Sequence, residues 1–253
     1  MKLIFLFISC LQLFAVNSLI EDSEVAPRMY GKYPGYITNE IFKENGEKTV
    51  CGGILFSPYA VVTLATCYPN NNENYTANVL SGQTTCMDYD QKLSVRKVIT
   101  NGVLAIVFTK GSFNLTDTTQ IVGINTDEVQ PEVVKAVGCP TPTGPIFTAN
   151  FYNVSEEVCT KTFNDNAMGV KTECGKCPVE ASTCTAPMAN PTFCKDNTAR
   201  SLAYKVQRPG CETGGIVDFL LLWPHLSYIV SNVQNERCET SQPENLLNLK
   251  LTV

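Results

Sequence analysis

More than ten short runs rich in Val, Ile, Thr, Phe and Tyr follow one another along this chain, each closed within a few residues by Asn, Gly or Pro. Gly35–Thr38, Gly53–Phe56, Ala60–Leu64, Ala77–Leu80, Val95–Ile99 and Val103–Phe108 fill the first half. Val133–Val137, Ala203–Val206, Val217–Leu221 and Ser227–Val230 continue the pattern. The separators Pro69–Asn74, Lys110–Asn114 and Thr141–Pro145 carry turn chemistry. Short β-branched and aromatic runs with frequent turns, and almost no 3.6-residue period, predict an all-β fold, a sandwich or a pair of barrels. One helical segment is expected over Ser155–Thr160, with Ser155 as its N-cap. Lys171 to Lys195 is cysteine-rich and poor in strand signals, and reads as a bridged surface insertion.

The first residues read as an export signal. Met1 and Lys2 precede an apolar stretch from Leu3 to Val16, and Val16-Asn17-Ser18 supplies small residues for cleavage before Leu19. Residues 1–18 are therefore expected to be a signal peptide and 19–253 the secreted chain. No later stretch has the 18 apolar residues of a membrane span. Twelve cysteines less Cys10 leave eleven, a density suited to an oxidising compartment. An odd count leaves one thiol free or paired between chains. Three sequons, at Asn74, Asn114 and Asn153, lie in polar stretches and are expected glycosylation sites.

Charge and histidine content exclude more than they assign. The formal charge is −5, with no basic run, so nucleic acid and anionic membrane are not expected partners. A single histidine argues against histidine-based zinc sites and leaves one candidate partner for any nucleophile. No metal or cofactor is expected.

Four segments carry a resemblance. Cys51-Gly-Gly-Ile-Leu-Phe through Ala60-Val-Val-Thr-Leu-Ala-Thr-Cys67 is similar to C-G-G-S-L-I…W-V-L-T-A-A-H-C of the trypsin-like (chymotrypsin-family) serine proteases. Cys211-Glu-Thr-Gly-Gly-Ile-Val resembles their nucleophile loop G-D-S-G-G-P-L. Leu226–Ser231 resembles the substrate-flanking strand G-I-V-S-W-G, and Asn101–Val107 resembles N-D-I-A-L-L. The resemblance implies two six-stranded antiparallel β-barrels with disulfide-bonded loops, roughly residues 19–125 and 126–253. The family's C-terminal helix is expected to be missing, because the sequence stops at Leu249–Val253.

The departures from the family pattern fall on its chemistry. The triad needs a serine nucleophile, a histidine to carry its proton and an aspartate to orient the ring. The resemblance puts Thr66 at the histidine, Val103 or Gly102 at the aspartate and Thr213 at the serine. Threonine and valine have no group that titrates near neutrality. Cys211 takes the place of an oxyanion-hole glycine, Glu212 of the aspartate before the serine, and Gln207 of the specificity residue. His225, in Leu222-Trp-Pro-His-Leu226, is expected in a turn between second-barrel strands, outside the cleft.

The resemblance also implies the bridges Cys51–Cys67, Cys159–Cys194 and Cys211–Cys238. Cys86, Cys139, Cys174, Cys177 and Cys184 remain unassigned, and Cys174-x-x-Cys177 is better explained by disulfides than by zinc. Asp88-Tyr-Asp90 and Glu21–Glu24 read as solvated acidic loops, and Trp223 as a packing residue.

The implied function is that of a secreted, glycosylated, catalytically inactive homologue acting by protein binding. The extracellular partners would include active serine proteases or immune recognition proteins. Its contacts are expected at 171–195, Pro69–Tyr75 and Asp218–Leu226. The alternatives are a hydrolase altered to use Thr213 or Cys211, and an inert secreted structural protein.

Overall fold

The computed structural model describes residues 23–25, 33, 35–69, 74–83, 85, 86, 88–139, 146–163, 170–176, 188–194, 196–206 and 215–241. Six strands close a first antiparallel barrel: β2 (Tyr36–Lys43), β3 (Lys48–Ser57), β4 (Ala60–Leu64), β5 (Tyr75–Ser81), β6 (Gln91–Thr100) and β7 (Leu104–Thr109), in the order β2-β3-β4-β7-β6-β5. Closure leaves this barrel no open sheet edge. Gly46, at φ +83°, turns β2 into β3, and Asn45 Oδ1 accepts the Glu47 N–H at 2.9 Å. β4, Ala-Val-Val-Thr-Leu, is buried at every position, and so is β7. These continuous apolar runs place both faces of the two strands against protein.

The second barrel uses β8 (Val133–Gly138), β9 (Phe147–Val154), β10 (Thr172–Lys176), β11 (Pro191–Phe193), β12 (Ala199–Val206) and β13 (Ile216–Leu221). The ring runs β9-β10-β13-β12-β11-β8 and closes through β8–β9. The first strand of the chain, β1 (Ser23–Val25), joins this second barrel, pairing with Phe147–Ala149 of β9. β10 and β11 are barrel strands at either end of the segment expected to be a surface insertion; 177–187 lie outside the described residues.

A helix, α1 (Glu156–Phe163), follows β9 where the sequence predicts one. A second, α2 (Leu226–Ser241), corrects two expectations. A C-terminal helix is present, and Leu226–Ser231 forms its first turns rather than a substrate-flanking strand. Leu226, Ile229, Val230 and Val233 recur at i, i+3, i+4 and i+7, a helical stripe. Ile229 and Val233 are buried, and the stripe continues to buried Glu236. The Ile, Val and Tyr content of this stretch suggests a strand, and its period decides for the helix.

Three bridges are present among the described cysteines. Cys51–Cys67 ties β3 to the turn after β4. Cys86–Cys139 joins the segment after β5 to the end of β8, and so links the barrels. Cys159 is bonded to Cys174, not to Cys194 as the resemblance implies, because α1 lies across β10 with the two Cα atoms 5.7 Å apart. Cys194 is a free thiol in the turn between β11 and β12, and burial pushes its pKa up. Cys211 lies outside the described residues, as does the side chain of Cys238, whose backbone is in α2.

Candidate functional site

Where β4 ends, the chain passes through a 3₁₀ turn, Ala65–Cys67, pinned at Cys67 by the bridge to Cys51. Cys67 is buried, whereas Thr66 in the middle of the turn is exposed. The Ala65 N–H donates to the Val103 carbonyl at 2.8 Å, which sets the 101–103 loop against the turn. Asn101 shapes that loop by accepting, through Oδ1, the Val103 and Leu104 N–H groups at 3.2 and 2.9 Å. Gly102 takes φ +93°, a left-handed conformation that costs glycine little. The structure thus brings Thr66 and Val103, far apart in sequence, to adjoining turns.

A third element completes this corner, the 188–190 turn, which lies inside the 171–195 stretch expected to be a surface insertion and is instead held between the barrels. The Gly52 N–H, next to Cys51, donates to the Met188 carbonyl at 3.0 Å. Ala189 and Asn190 are tied to β12: Ala189 N–H donates to Ala203 O at 2.9 Å, and Ala203 N–H to Asn190 O at 2.8 Å. The 188–190 turn is therefore clamped between the first barrel's β3 and the second barrel's β12. Met188 is 42% exposed beside the Cys51–Cys67 bridge, while Ala189 and Asn190 are buried. Ala189 sits at φ +66°, where an L-residue with a Cβ is strained.

Glycines on both barrels make room for Asn190. A Cβ on Gly52 would stand 2.8 Å from Asn190 Oδ1, and a Cβ on Gly138 would collide with Asn190 Nδ2. The Oδ1 atom accepts no hydrogen bond among the described residues. The signal for this turn in the sequence is Pro191, which opens β11 directly after it.

Hydrogen bonds beneath the corner hold the Gly52 peptide. Its carbonyl accepts from Thr63 Oγ1 at 2.7 Å and from Asn39 Nδ2 at 3.1 Å, and Asn39 Oδ1 accepts from the Tyr68 hydroxyl at 3.0 Å. Burial pushes the Tyr68 phenol far up, and holds the Tyr36 phenol, next to Cys139, at about 12. These groups stay neutral and act as fixed dipoles. Thr66, Val103, Met188, Ala189 and Asn190 offer a hydroxyl, a thioether, a carboxamide and apolar surface. None of the five titrates near pH 7.

His225 stands in the 3₁₀ turn Trp223–His225, between β13 and α2 rather than between two strands of the second barrel. Its Nδ1 lies 3.5 Å from Asn101 Nδ2, and burial lowers its pKa, favouring the neutral ring. Thr213, Cys211, Glu212 and Gln207 lie outside the described residues. Of the sequon residues, Asn74, Asn114 and Asn153 are all exposed.

A family model, Trypsin, matches residues 32–199, more than half of the 253-residue chain. Among solved structures, a scabies mite inactivated protease paralogue is 15% identical with a TM-score of 0.68, over 85% of this chain and 100% of that one. A protein titled HL collagenase is 17% identical with a TM-score of 0.66, over 81% and 95%. Kallikrein-related peptidase 10 is 16% identical with a TM-score of 0.66, over 83% and 100%. At these identities the likeness is one of fold. No curated protein sequence matches. Two closed antiparallel barrels, the Cys51–Cys67 signature segment and the family match agree: the chain belongs to the Trypsin family.

Proposed function

We propose that this protein is a secreted member of the Trypsin family that does not hydrolyse peptide bonds and acts by binding extracellular proteins, as a decoy, cofactor or modulator of an active serine protease or an immune recognition protein. The observation that carries this reading is which residues the main chain brings to the corner beside the Cys51–Cys67 bridge: Thr66, Val103 and Met188. Acyl transfer by this family requires a base to take the serine proton and a carboxylate to hold that base. Thr66 has no group of suitable pKa, and Val103 cannot orient an imidazole. The family spelling G-D-S-G-G-P, ended on Pro191, puts its serine at Met188 and its glycines at Ala189 and Asn190. Laid instead on Cys211–Val217, it puts Thr213 at the serine. A thioether has no proton to lose, and a threonine hydroxyl without a base is a weak nucleophile, so either register lacks the activated pair.

Export is supported by the apolar leader at 1–18, the three bridges and the three sequons. That a mite protein named as inactivated shares the fold supports the compatibility of this frame with lost catalysis. The test is affinity capture. The purified, glycosylated chain is immobilised and exposed to the extracellular fluid of its source, with a heat-unfolded copy as control. Specific recovery of a serine protease, its zymogen or an immune recognition protein is the expected result. Recovery of nothing above the control would remove the binding function.

A further inference from the structure

We infer that Asn114 carries an N-linked glycan, and that this glycan covers Tyr89 and Leu115 at the end of the first barrel opposite the Thr66 turn. The inference rests on the export proposed above and deepens it, by assigning one end of the first barrel to sugar.

The location follows from strand direction. β4 and β7 pair with Leu64 opposite Leu104 at one end and Ala60 opposite Phe108 at the other. Thr66 and Val103 leave from the Leu64–Leu104 end. At the far end, Phe113 N–H donates to Pro58 O at 2.7 Å and Thr109 N–H to Tyr59 O at 3.1 Å. Asn114 follows directly, so a strand length of roughly 15–20 Å separates it from the Thr66 turn.

The surroundings of Asn114 are built. Its N–H donates to Gln91 Oε1 and its carbonyl accepts from Gln91 Nε2, both at 2.8 Å. Thr118 Oγ1 donates to Asp90 Oδ2 at 2.8 Å, and Gln91 Nε2 also reaches Thr119 Oγ1 at 3.2 Å. The 114–119 loop is thus laced to the 89–91 segment. Every hydrogen bond of Asn114 among the described residues uses its main chain, so the carboxamide of an exposed residue stands clear on a fixed platform. On the same platform Tyr89 is 42% and Leu115 51% exposed. A sugar attached at Asn114 takes the apolar surface of Leu115 and of Tyr89, whose ring Lys92 Nζ approaches at 5.6 Å, out of water.

The other sequons differ. Asn74 Nδ2 donates to Glu44 Oε1 at 2.8 Å, and Asn74 precedes Tyr75, at the opposite end of β5 from the Ser81–Gln91 pair. Asn153 lies within β9, in register with Gly175 on one side and with its N–H bonded to Glu132 O on the other.

The full chain is expressed in eukaryotic secretory cells, and its peptides are mapped by mass spectrometry before and after enzymatic removal of N-glycans, which leaves aspartate at each occupied position. The Asn114 peptide is expected to be glycosylated in most molecules. Asn114→Gln and Thr116→Ala should each remove one glycan, whereas Thr116→Ser retains it. Nitration of Tyr89 should rise several-fold once the glycan is gone. An unmodified Asn114 in a chain glycosylated at Asn74 or Asn153 overturns the assignment while export stands. Unchanged Tyr89 reactivity overturns the covering. A chain that keeps residues 1–18 and carries no sugar overturns export, and this inference with it.

Discussion

The two barrels are built to the same strand count and filled differently. The first is packed with apolar side chains, among them Ile37, Ile41, Ile54, Leu55, Val62, Leu64, Ile106 and Phe108, all fully buried. The second shares the main apolar core through Val137, Ile146, Phe193, Leu202 and Leu220, adds a separate small cluster of Val134, Ala136, Ala149, Phe151, Val217 and Phe219, and carries beside it a buried ion pair. Arg200 Nε meets both Glu173 oxygens, at 3.0 and 2.8 Å, and both side chains are at most 5% exposed. Arg200 Nη1 also donates to Asn125 Oδ1 and Asp127 O, and Ser201 Oγ to Glu173 Oε1. The buried network around Thr63, Asn39 and Tyr68 in the first barrel is neutral, whereas that of the second rests on a charged pair in which each member satisfies the other.

Breaking that network should have the largest effect. Arg200→Ala or Glu173→Ala leaves a buried charge unpaired, and is expected to cost about 3–5 kcal/mol in denaturant unfolding. The double substitution Arg200→Met with Glu173→Leu should recover much of this loss. If the double variant is no more stable than either single one, the network is not what holds the second barrel.

Next comes the link between barrels. Cys86 and Cys139 close a separation of 53 residues, and replacing both with serine should cost about 2–4 kcal/mol through the freed unfolded chain. Cys139 follows Gly138, which packs on Asn190, so hydrogen exchange at 188–190 should rise with it. Exchange confined to the sites of substitution would separate the bridge from the turn.

A smaller effect of opposite sign is expected at Ala189. Its φ of +66° costs an L-residue about 1–2 kcal/mol. Glycine relieves this strain but adds unfolded-state entropy, for a net gain of about 0.5–1 kcal/mol in Ala189→Gly. A loss of stability would show that the turn does not hold the residue under strain.

The gentlest test is of pH. Glu236 on α2 is buried, which raises its pKa, but Lys97 and Arg96 of β6 donate to it and hold it below the ordinary carboxylate range. A carboxylate whose pKa is depressed by folding adds stability above that range and loses it as pH falls through. Hydrogen exchange in α2 should therefore increase below about pH 4, and Glu236→Gln should flatten the dependence. Equal pH dependence in both proteins would exclude this clamp.

The difference between the barrels also explains what the sequence discloses. β4 and β7 are continuous apolar runs bounded by turns, and the Cys51–Cys67 segment keeps its family spelling, so the first barrel is readable directly. In the second, β10 and β11 are short and sit at either end of a cysteine-rich stretch whose composition hides them. Ile229, Val230 and Val233 have strand-forming side chains, and only their i+3, i+4 and i+7 spacing from Leu226, extended by Glu236, gives the helix away. Met188–Asn190 keeps only Pro191 of the family spelling, and its place emerges from two main-chain clamps, to Gly52 and to Ala203. The Cys159 pairing follows from the path of α1 over β10, a tertiary fact that cysteine spacing does not contain.

The central claim is that this chain, with Thr66, Val103 and Met188 at the corner of its two barrels, does not hydrolyse peptide bonds. The most direct measurement is turnover of a broad peptide library by the purified chain freed of residues 1–18, alongside labelling by a serine-directed phosphonate probe. The account predicts no cleavage above buffer and no labelling. Cleavage that is abolished by Thr213→Ala, by Cys211→Ser or by Met188→Ala would contradict it.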